Sequence, residues 1–382
     1  MPTILQLIPS LGSGGAEQAC IDVAAGLVAA RHRAIIVSSG GSRWGNPDLK
    51  GVQKIIRPVH SKNPAVILAN ALWLRKFILK NKVNIVHARS RAPAWSAYLA
   101  TRGTKCKFVT TFHAAYKFSC TTKKFYNSVM AKADKIIAIS DFIAKHVTET
   151  YTVASKIIRT IPRGIDMDMF DPAHITTSRK EKLREAWGVA ENQKIILLPA
   201  RLSPIKGQIF LIEAMNMIAA THPEVLAILV GDDQGRHGYR RELENMITEY
   251  NLDEQVKLVG NCTDMPAAYS LASLVVAPSV VPEGFGRTPV EAISMGVPVV
   301  ASDLGGFRET IQHGVSGWLI PPQDAEKLAG AMLHAISLSH SQITTMTELA
   351  ARALRTRYNT CTMVADTLQV YSEVIGIPEP RV

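Results

Sequence analysis

Residues 194–220 read KIILLPARLSPIKGQIFLIEAMNMIAA. Lys194–Pro199 is a short, nearly continuous apolar run, the pattern of a strand buried on both faces. Gln208–Ala220 spaces its apolar side chains for a helix. Between them a loop carries Arg201, Lys206 and Gly207. A strand of this kind followed by a loop and a helix is one βα unit of a parallel sheet.

The same alternation runs in both directions from this stretch. Downstream, Leu226–Val230 reads as a strand, Tyr239–Tyr250 as a helix, and Val256–Val259, Leu274–Ala277 and Val297–Ala301 as strands with helices between them. From about Ala325 the chain is mostly helical in pattern. Upstream, Thr3–Pro9, Ala34–Ser38, Ile85–His87, Lys107–Thr111 and Lys135–Ile139 read as strands. Helical patterns cover Ala16–Ala30, Ala65–Lys80 and Pro93–Thr101, and Ser140 can cap a further helix. The alternation breaks near Pro162–Pro172, where Pro, Gly and three Asp cluster.

This organisation predicts an α/β chain of two Rossmann-like, doubly wound parallel-sheet domains. The expected limits are 1–168 and 169–360, with 361–382 a C-terminal helix returning toward the first domain. The length of 382 residues suits two cores better than one. Ligands of such sheets bind beyond the C-terminal ends of the strands, so the expected site is the cleft between the facing halves.

With 47% hydrophobic and 20% charged residues, wholesale disorder is excluded. The five cysteines are widely spaced and contain no CxxC, which argues against a disulfide framework or a structural zinc site. No secretory signal and no run of ~18 apolar residues is present, so a cytoplasmic location is expected, or the cytoplasmic face of the inner membrane. Charge is unevenly placed. Residues 1–170 hold 25 Lys and Arg against 8 Asp and Glu, and residues 171–382 hold 18 against 24, within a net +11. The first half is thus suited to an anionic partner, or to a basic solvated surface.

Three motifs carry chemistry. Gly12-Ser13-Gly14-Gly15-Ala16-Glu17 lies between the first strand and first helix, where bare backbone and helix amides can meet an anion. It lacks the third Gly of a dinucleotide fingerprint, and no acid ends the second strand, so a nicotinamide dehydrogenase is disfavoured. The second motif is Arg201–Gly207, whose two cations could neutralise a departing diphosphate without a metal. The third is Glu283-Gly284-Phe285-Gly286-Arg287-Thr288-Pro289-Val290-Glu291, which leads into a helix expected to start at Pro289. Its glycines bare the backbone, and its two acids could hold sugar hydroxyls. Each of the three could also be an inert loop.

The last two motifs together resemble the retaining glycosyltransferases of family 4, which have the GT-B fold. The Gly-Gly-Ala-Glu run, Ile161–Asp166 and Gly231-Asp232-Asp233 are similar to that family too, so the likeness spans nearly the whole chain. It implies that Arg201 and Lys206 bind the donor diphosphate, Glu291 the ribose and Glu283 the donor sugar. It implies that Phe285, Gly286 and Arg287 cradle donor phosphate or sugar, that Gly15 lies near the diphosphate, and that His113 lies near the donor sugar. His113 alone would read as a structural histidine. Arg163 stands where many relatives have Asn, and its role stays open. The implied catalytic group is His113, Arg201, Lys206 and Glu283. No cofactor is expected beyond a nucleoside-diphosphate sugar as co-substrate.

No metal is expected. Asp166-Met167-Asp168 spells a metal-binding triplet but sits in the expected linker, and Asp232-Asp233 reads as a loop after a strand.

The acceptor is expected on the basic half, from Glu17, Arg89, Arg91 and Lys117. Lys117, Lys123 and Lys124 interleave with Tyr116, Phe118 and Phe125, a mix suited to an anionic leaflet. An anionic glycan or glycolipid acceptor at the inner-membrane surface is therefore expected. The Arg89-to-Trp95 run is similar to lipopolysaccharide-core mannosyltransferases, which implies GDP-mannose as donor and mannosyl transfer in lipopolysaccharide synthesis. Two alternatives stay open: a same-fold sugar-nucleotide epimerase or phosphorylase, and a basic nucleic-acid-binding protein. Against the latter, no RNA-binding aromatic motif or helix-turn-helix is seen, and no nucleic-acid partner is expected.

Overall fold

The computed structural model describes residues 1–12, 14–116 and 118–376. The chain divides into two compact units: Met1–Gly164 together with the chain from Thr360, and Ile165–Asn359.

The first unit holds seven strands: β1 (Thr3–Leu7), β2 (Arg33–Ser38), β3 (Gln53–Ile56), β4 (Ile85–Ala88), β5 (Lys107–Phe112), β6 (Lys135–Ala138) and β7 (Ile158–Thr160). They form one wholly parallel sheet in the order β3-β2-β1-β4-β5-β6-β7. Its helices are α1 (Gly15–Ala29), α2 (Pro64–Asn81), α3 (Arg91–Thr101), α4 (Thr121–Ser128) and α5 (Asp141–Tyr151). Every residue of β1 and β4 is buried, because helices cover both sheet faces. Asn63 caps α2 ahead of Pro64, and the Ser140 hydroxyl accepts from the Ile143 amide at the start of α5.

The second unit has six strands: β8 (Lys194–Pro199), β9 (Val225–Val230), β10 (Val256–Gly260), β11 (Ala272–Ala277), β12 (Val299–Ser302) and β13 (Trp318–Ile320). They too are all parallel, in the order β10-β9-β8-β11-β12-β13. The helices are α6 (Thr177–Trp187), α7 (Gln208–Ile218), α8 (His237–Glu249), α9 (Met265–Leu271), α10 (Arg287–Ser294), α11 (Phe307–Thr310), α12 (Ala325–Ser337) and α13 (His340–Arg357). The last helix, α14 (Thr360–Ile375), rejoins the first unit, where Met363, Val370 and Tyr371 enter its core beside α1.

Both sheets are doubly wound. The strand order reverses between β1 and β4 in one and between β8 and β11 in the other. At such a reversal the following loops diverge to opposite faces and leave a crevice at the strands' C-terminal ends. Gly12, Gly14 and Gly15 follow β1, and Arg89 follows β4. In the second unit, Arg201–Gly207 follows β8, and the loop from Pro278 to Gly286 follows β11. The topology therefore brings together motifs that lie about 80 residues apart.

Candidate active site

At the reversal in the second unit, Lys206 Nζ donates to Glu283 Oε1 at 2.7 Å. The Ser279 hydroxyl donates to the same carboxylate at 2.7 Å. Two features press these loops together. Gly207, at φ +74°, turns the chain from the Lys206 loop into α7, and its Cα faces the carbonyl oxygen of Pro278. The Gly306 amide donates to the Glu283 carbonyl at 2.9 Å, which anchors the other side of the acidic loop.

Gly286 adopts φ +91°, and α10 begins at the next residue, Arg287. The helix thus starts two residues earlier than the Pro at position 289 suggested, because the left-handed glycine is where the backbone turns. Glu291 then stands one full turn into the helix, four residues from Arg287. Arg287 Nη2 meets Glu291 Oε1 at 2.9 Å, and the Tyr269 hydroxyl donates to Glu291 Oε2 at 2.8 Å. Burial, followed by the charge of Glu291, pushes the Tyr269 phenol well above its usual range, so it stays protonated and donates. The Arg287 Nε atom is buried and meets no partner among the described residues. A buried donor left this way favours a ligand oxygen. Phe285 is buried edge-on against Tyr358, with ring centroids 5.1 Å apart.

Arg201 is exposed and, among the described residues, its guanidinium makes no hydrogen bond or ion pair. One loop therefore presents a free cation, Arg201, and a cation held in reserve on a carboxylate, Lys206. A ligand phosphate can take both.

In the first unit, Arg163 is 8% exposed and reaches two sequence-predicted residues. Its Nη1 donates to the Gly15 carbonyl, and its Nη2 meets His113 Nδ1 at 2.9 Å. A guanidinium can only donate, so Nδ1 must accept and the imidazole proton sits on Nε2. That Nε2 is buried and meets no partner among the described residues. Burial, then the nearby Arg163 and Arg89 charges, hold His113 well below the usual imidazole range. His113 is thus a neutral hydrogen-bond donor.

The residues expected to meet the acceptor are engaged inside this unit. Arg89, only 4% exposed, turns inward and donates from Nε to Gln6 Oε1 at 2.8 Å, because β1 lies beside β4. Arg91 is half-buried; it stacks on the Tyr116 ring at 4.4 Å and donates to Asn127 Oδ1 at 3.0 Å. The Glu17 carboxylate folds back over Gly14, at the positive end of its own helix. Lys117 lies outside the described residues. Asp166 accepts from the amides of Asp168 and Met169, Asp233 accepts from Gly235 and His237, and Asp232 accepts from Asn261. These acids shape their own loops.

Tyr269, Ser279 and Gly306 join the site without any sequence signal. Each reaches it through a contact between elements distant in the chain. Arg163 was visible only as a departure from a motif. A cavity of about 320 Å³ lies elsewhere, at the N-terminal end of β5 beside Lys107.

Two buried imidazoles give a pH prediction. Burial, with Arg89 nearby, also holds His87 well below the usual range. The native state refuses protons that the unfolded chain accepts near pH ~6.5. Stability is therefore full above that pH and falls as the pH drops through it, by up to about 2.7 kcal/mol per pH unit for two such groups. Urea unfolding between about pH 7 and pH 5 checks this. A flat profile across that window would mean that the rings protonate within the fold.

Comparison with known proteins places the chain among similar ones. The family described as Glycosyltransferase Family 4 matches residues 13–169, and that described as Glycosyl transferases group 1 matches residues 179–352. A solved glycosyltransferase from Rickettsia africae is 36% identical, with a TM-score of 0.90 over 98% of each chain. Anabaena HepE, solved with UDP-glucose, is 27% identical, with a TM-score of 0.82 over 97% of this chain and all of that one. The lipopolysaccharide core biosynthesis mannosyltransferase LpsB of Rhizobium meliloti is 31% identical over 53% of this chain and 55% of its own length.

Proposed function

The chain belongs to the family 4 glycosyltransferases, and from that premise we propose that it moves a hexose with retention from a nucleoside-diphosphate sugar to an anionic, lipid-linked glycan. The observation that carries the donor half is the Lys206–Glu283 and Arg287–Glu291 arrangement at the sheet reversal. Glu291 takes the ribose hydroxyls, and Phe285–Arg287 turns backbone and an unpaired Nε toward phosphate. Lys206 leaves Glu283 for the diphosphate, which frees that carboxylate to accept from a sugar hydroxyl.

As the glycosidic bond breaks, negative charge builds on the β-phosphate while the sugar becomes oxocarbenium-like. Arg201 and Lys206 stabilise that charge, and no metal is required for it. The departing phosphate takes the acceptor's proton on the same face, so the anomeric configuration is kept.

The acceptor half rests on charge and exposed aromatics in the first unit. Phe125 is 63% exposed and Phe118 41%, with Lys124 Nζ 5.4 Å from the Phe118 ring centre. Apolar rings flanked by lysines suit the headgroup region of an anionic leaflet. Among the described residues no helix is long and apolar enough to cross a membrane, which fits peripheral attachment. Lipopolysaccharide core is the acceptor favoured by the likeness to the mannosyltransferase LpsB, and for this chain GDP-mannose is the donor proposed with it; the likeness to HepE favours UDP-glucose instead.

The test is product analysis with GDP-mannose and UDP-glucose, each supplied with rough lipopolysaccharide in anionic vesicles. The expected result is one transferred hexose with the donor's anomeric configuration. An inverted product would exclude the same-face mechanism. Release of free sugar from both donors, with no transfer, would exclude the acceptor class.

A further inference from the structure

Beneath the strand reversal of the first unit lies a small cavity of about 20 Å³, lined by Arg89, His113, Thr111, His87, Arg163 and apolar side chains. A cavity of that size holds one particle about as large as a water molecule. The polar groups around it are mostly donors. Arg89 is 96% buried by its 4% exposure, its Nε is spent on Gln6, and its Nη2 has no partner among the described residues. His113 Nε2, which carries that ring's proton, is likewise without a partner.

Hydrogen-bond polarity extends the pattern. His87 Nδ1 lies 2.6 Å from the Tyr371 hydroxyl, and His87 Nε2 lies 2.7 Å from Thr111 Oγ1. Arg89 also approaches the Tyr371 oxygen and can only donate to it. The phenol then gives its own proton to His87 Nδ1, and His87 Nε2–H donates to Thr111. The Thr111 hydroxyl is left with its hydrogen to offer. Thr367, also on the wall, already donates to the Met363 carbonyl.

Arg89 cannot lose its charge, and burying an unpaired guanidinium costs several kcal/mol. Among the described residues no carboxylate pairs with it. Glu17 and Asp22 on α1 are close enough to influence Cys20. A water here would accept from two donors but would leave the guanidinium charge uncompensated. A monatomic anion only accepts, and it neutralises the charge.

We propose that this cavity is a binding site for a single halide-sized anion, chloride in the cell, held by Arg89 Nη2, His113 Nε2 and the Thr111 hydroxyl. The ion is a structural counter-charge that lets Arg89 sit inside the sheet reversal and fixes the side chains beside the Gly15 turn. This assignment is independent of the proposed transfer reaction.

Bromide is the probe. Crystals of the full chain grown in sodium bromide should show an anomalous peak in the cavity, touching Arg89 and His113. A water or an empty cavity there would overturn the proposal. In solution, gluconate is too large to enter. Replacing gluconate by bromide at constant ionic strength should raise the melting temperature along a saturable curve. Arg89→Gln should abolish that rise, and Thr111→Val should shift its midpoint to higher bromide. An anion-independent melting temperature in the wild type would refute the site. So would an equal rise in Arg89→Gln, which marks a surface salt effect. If Arg89→Gln does not fold, the Thr111→Val midpoint and the anomalous map decide.

Discussion

Lys206→Ala is expected to lower the turnover number by about 10²–10³-fold, the usual cost of removing one preorganised group that meets charge developing in a transition state. The side chain sits on the loop after β8 and is held by Glu283 at 2.7 Å, so it is positioned before any ligand arrives. The change should leave the fold standing. The ion pair is partly exposed, 24% on Lys206 and 22% on Glu283, and such pairs contribute no more than about 1 kcal/mol. Ser279 still satisfies the Glu283 carboxylate at 2.7 Å. Steady-state kinetics with saturating donor, beside a melting curve, separates the two effects. Near-normal turnover would remove Lys206 from the reaction.

Gly207→Ala should act through structure and be as damaging. The residue adopts φ +74°, and a Cβ there would run into the Pro278 carbonyl oxygen, which is backbone and cannot rotate away. Left-handed strain of roughly 1–2 kcal/mol adds to an overpacking cost of roughly 1–3 kcal/mol. The second unit should lose about 2–5 kcal/mol in urea unfolding. The loops after β8 and β11 would be forced apart, so activity should fall even where the protein stays folded. An Ala variant with wild-type stability would mean that the two loops are not in the close contact described.

Both predictions fall on residues legible in the sequence. Lys206 and Gly207 follow a strand buried on both faces, and Glu283 and Glu291 bracket a glycine turn after another such strand. What the sequence concealed has a common cause. Strands β3, β7 and β13 escaped the reading because they are short and lie at the sheet edges; β3 has one half-buried residue and three exposed ones. Edge strands lack the apolar run that marks a central one. Tyr269, Ser279 and Gly306 reach the site from other elements, and no local pattern announces a contact made only when the sheet closes. The inward contacts of Arg89 and Arg91 were hidden for a related reason. Their position after β4 was legible, but not the Gln6 and Tyr116 side chains that draw them inward. Arg163 is the instructive case: it departs from its motif, and only the fold shows it fixing the His113 proton and the Gly15 carbonyl at once.

The central claim is that the second unit holds a nucleoside-diphosphate sugar through Glu291, the Phe285–Arg287 turn and the Arg201–Lys206 pair without a metal. Calorimetric titration of GDP and UDP in EDTA, against the wild type and Glu291→Ala, tests it most directly. The account predicts saturable binding of one nucleotide to the wild type and at least tenfold weaker binding to the variant, a loss of about 1.4 kcal/mol or more. No binding of either nucleotide until a divalent cation is added, or equal affinity in Glu291→Ala, would contradict it.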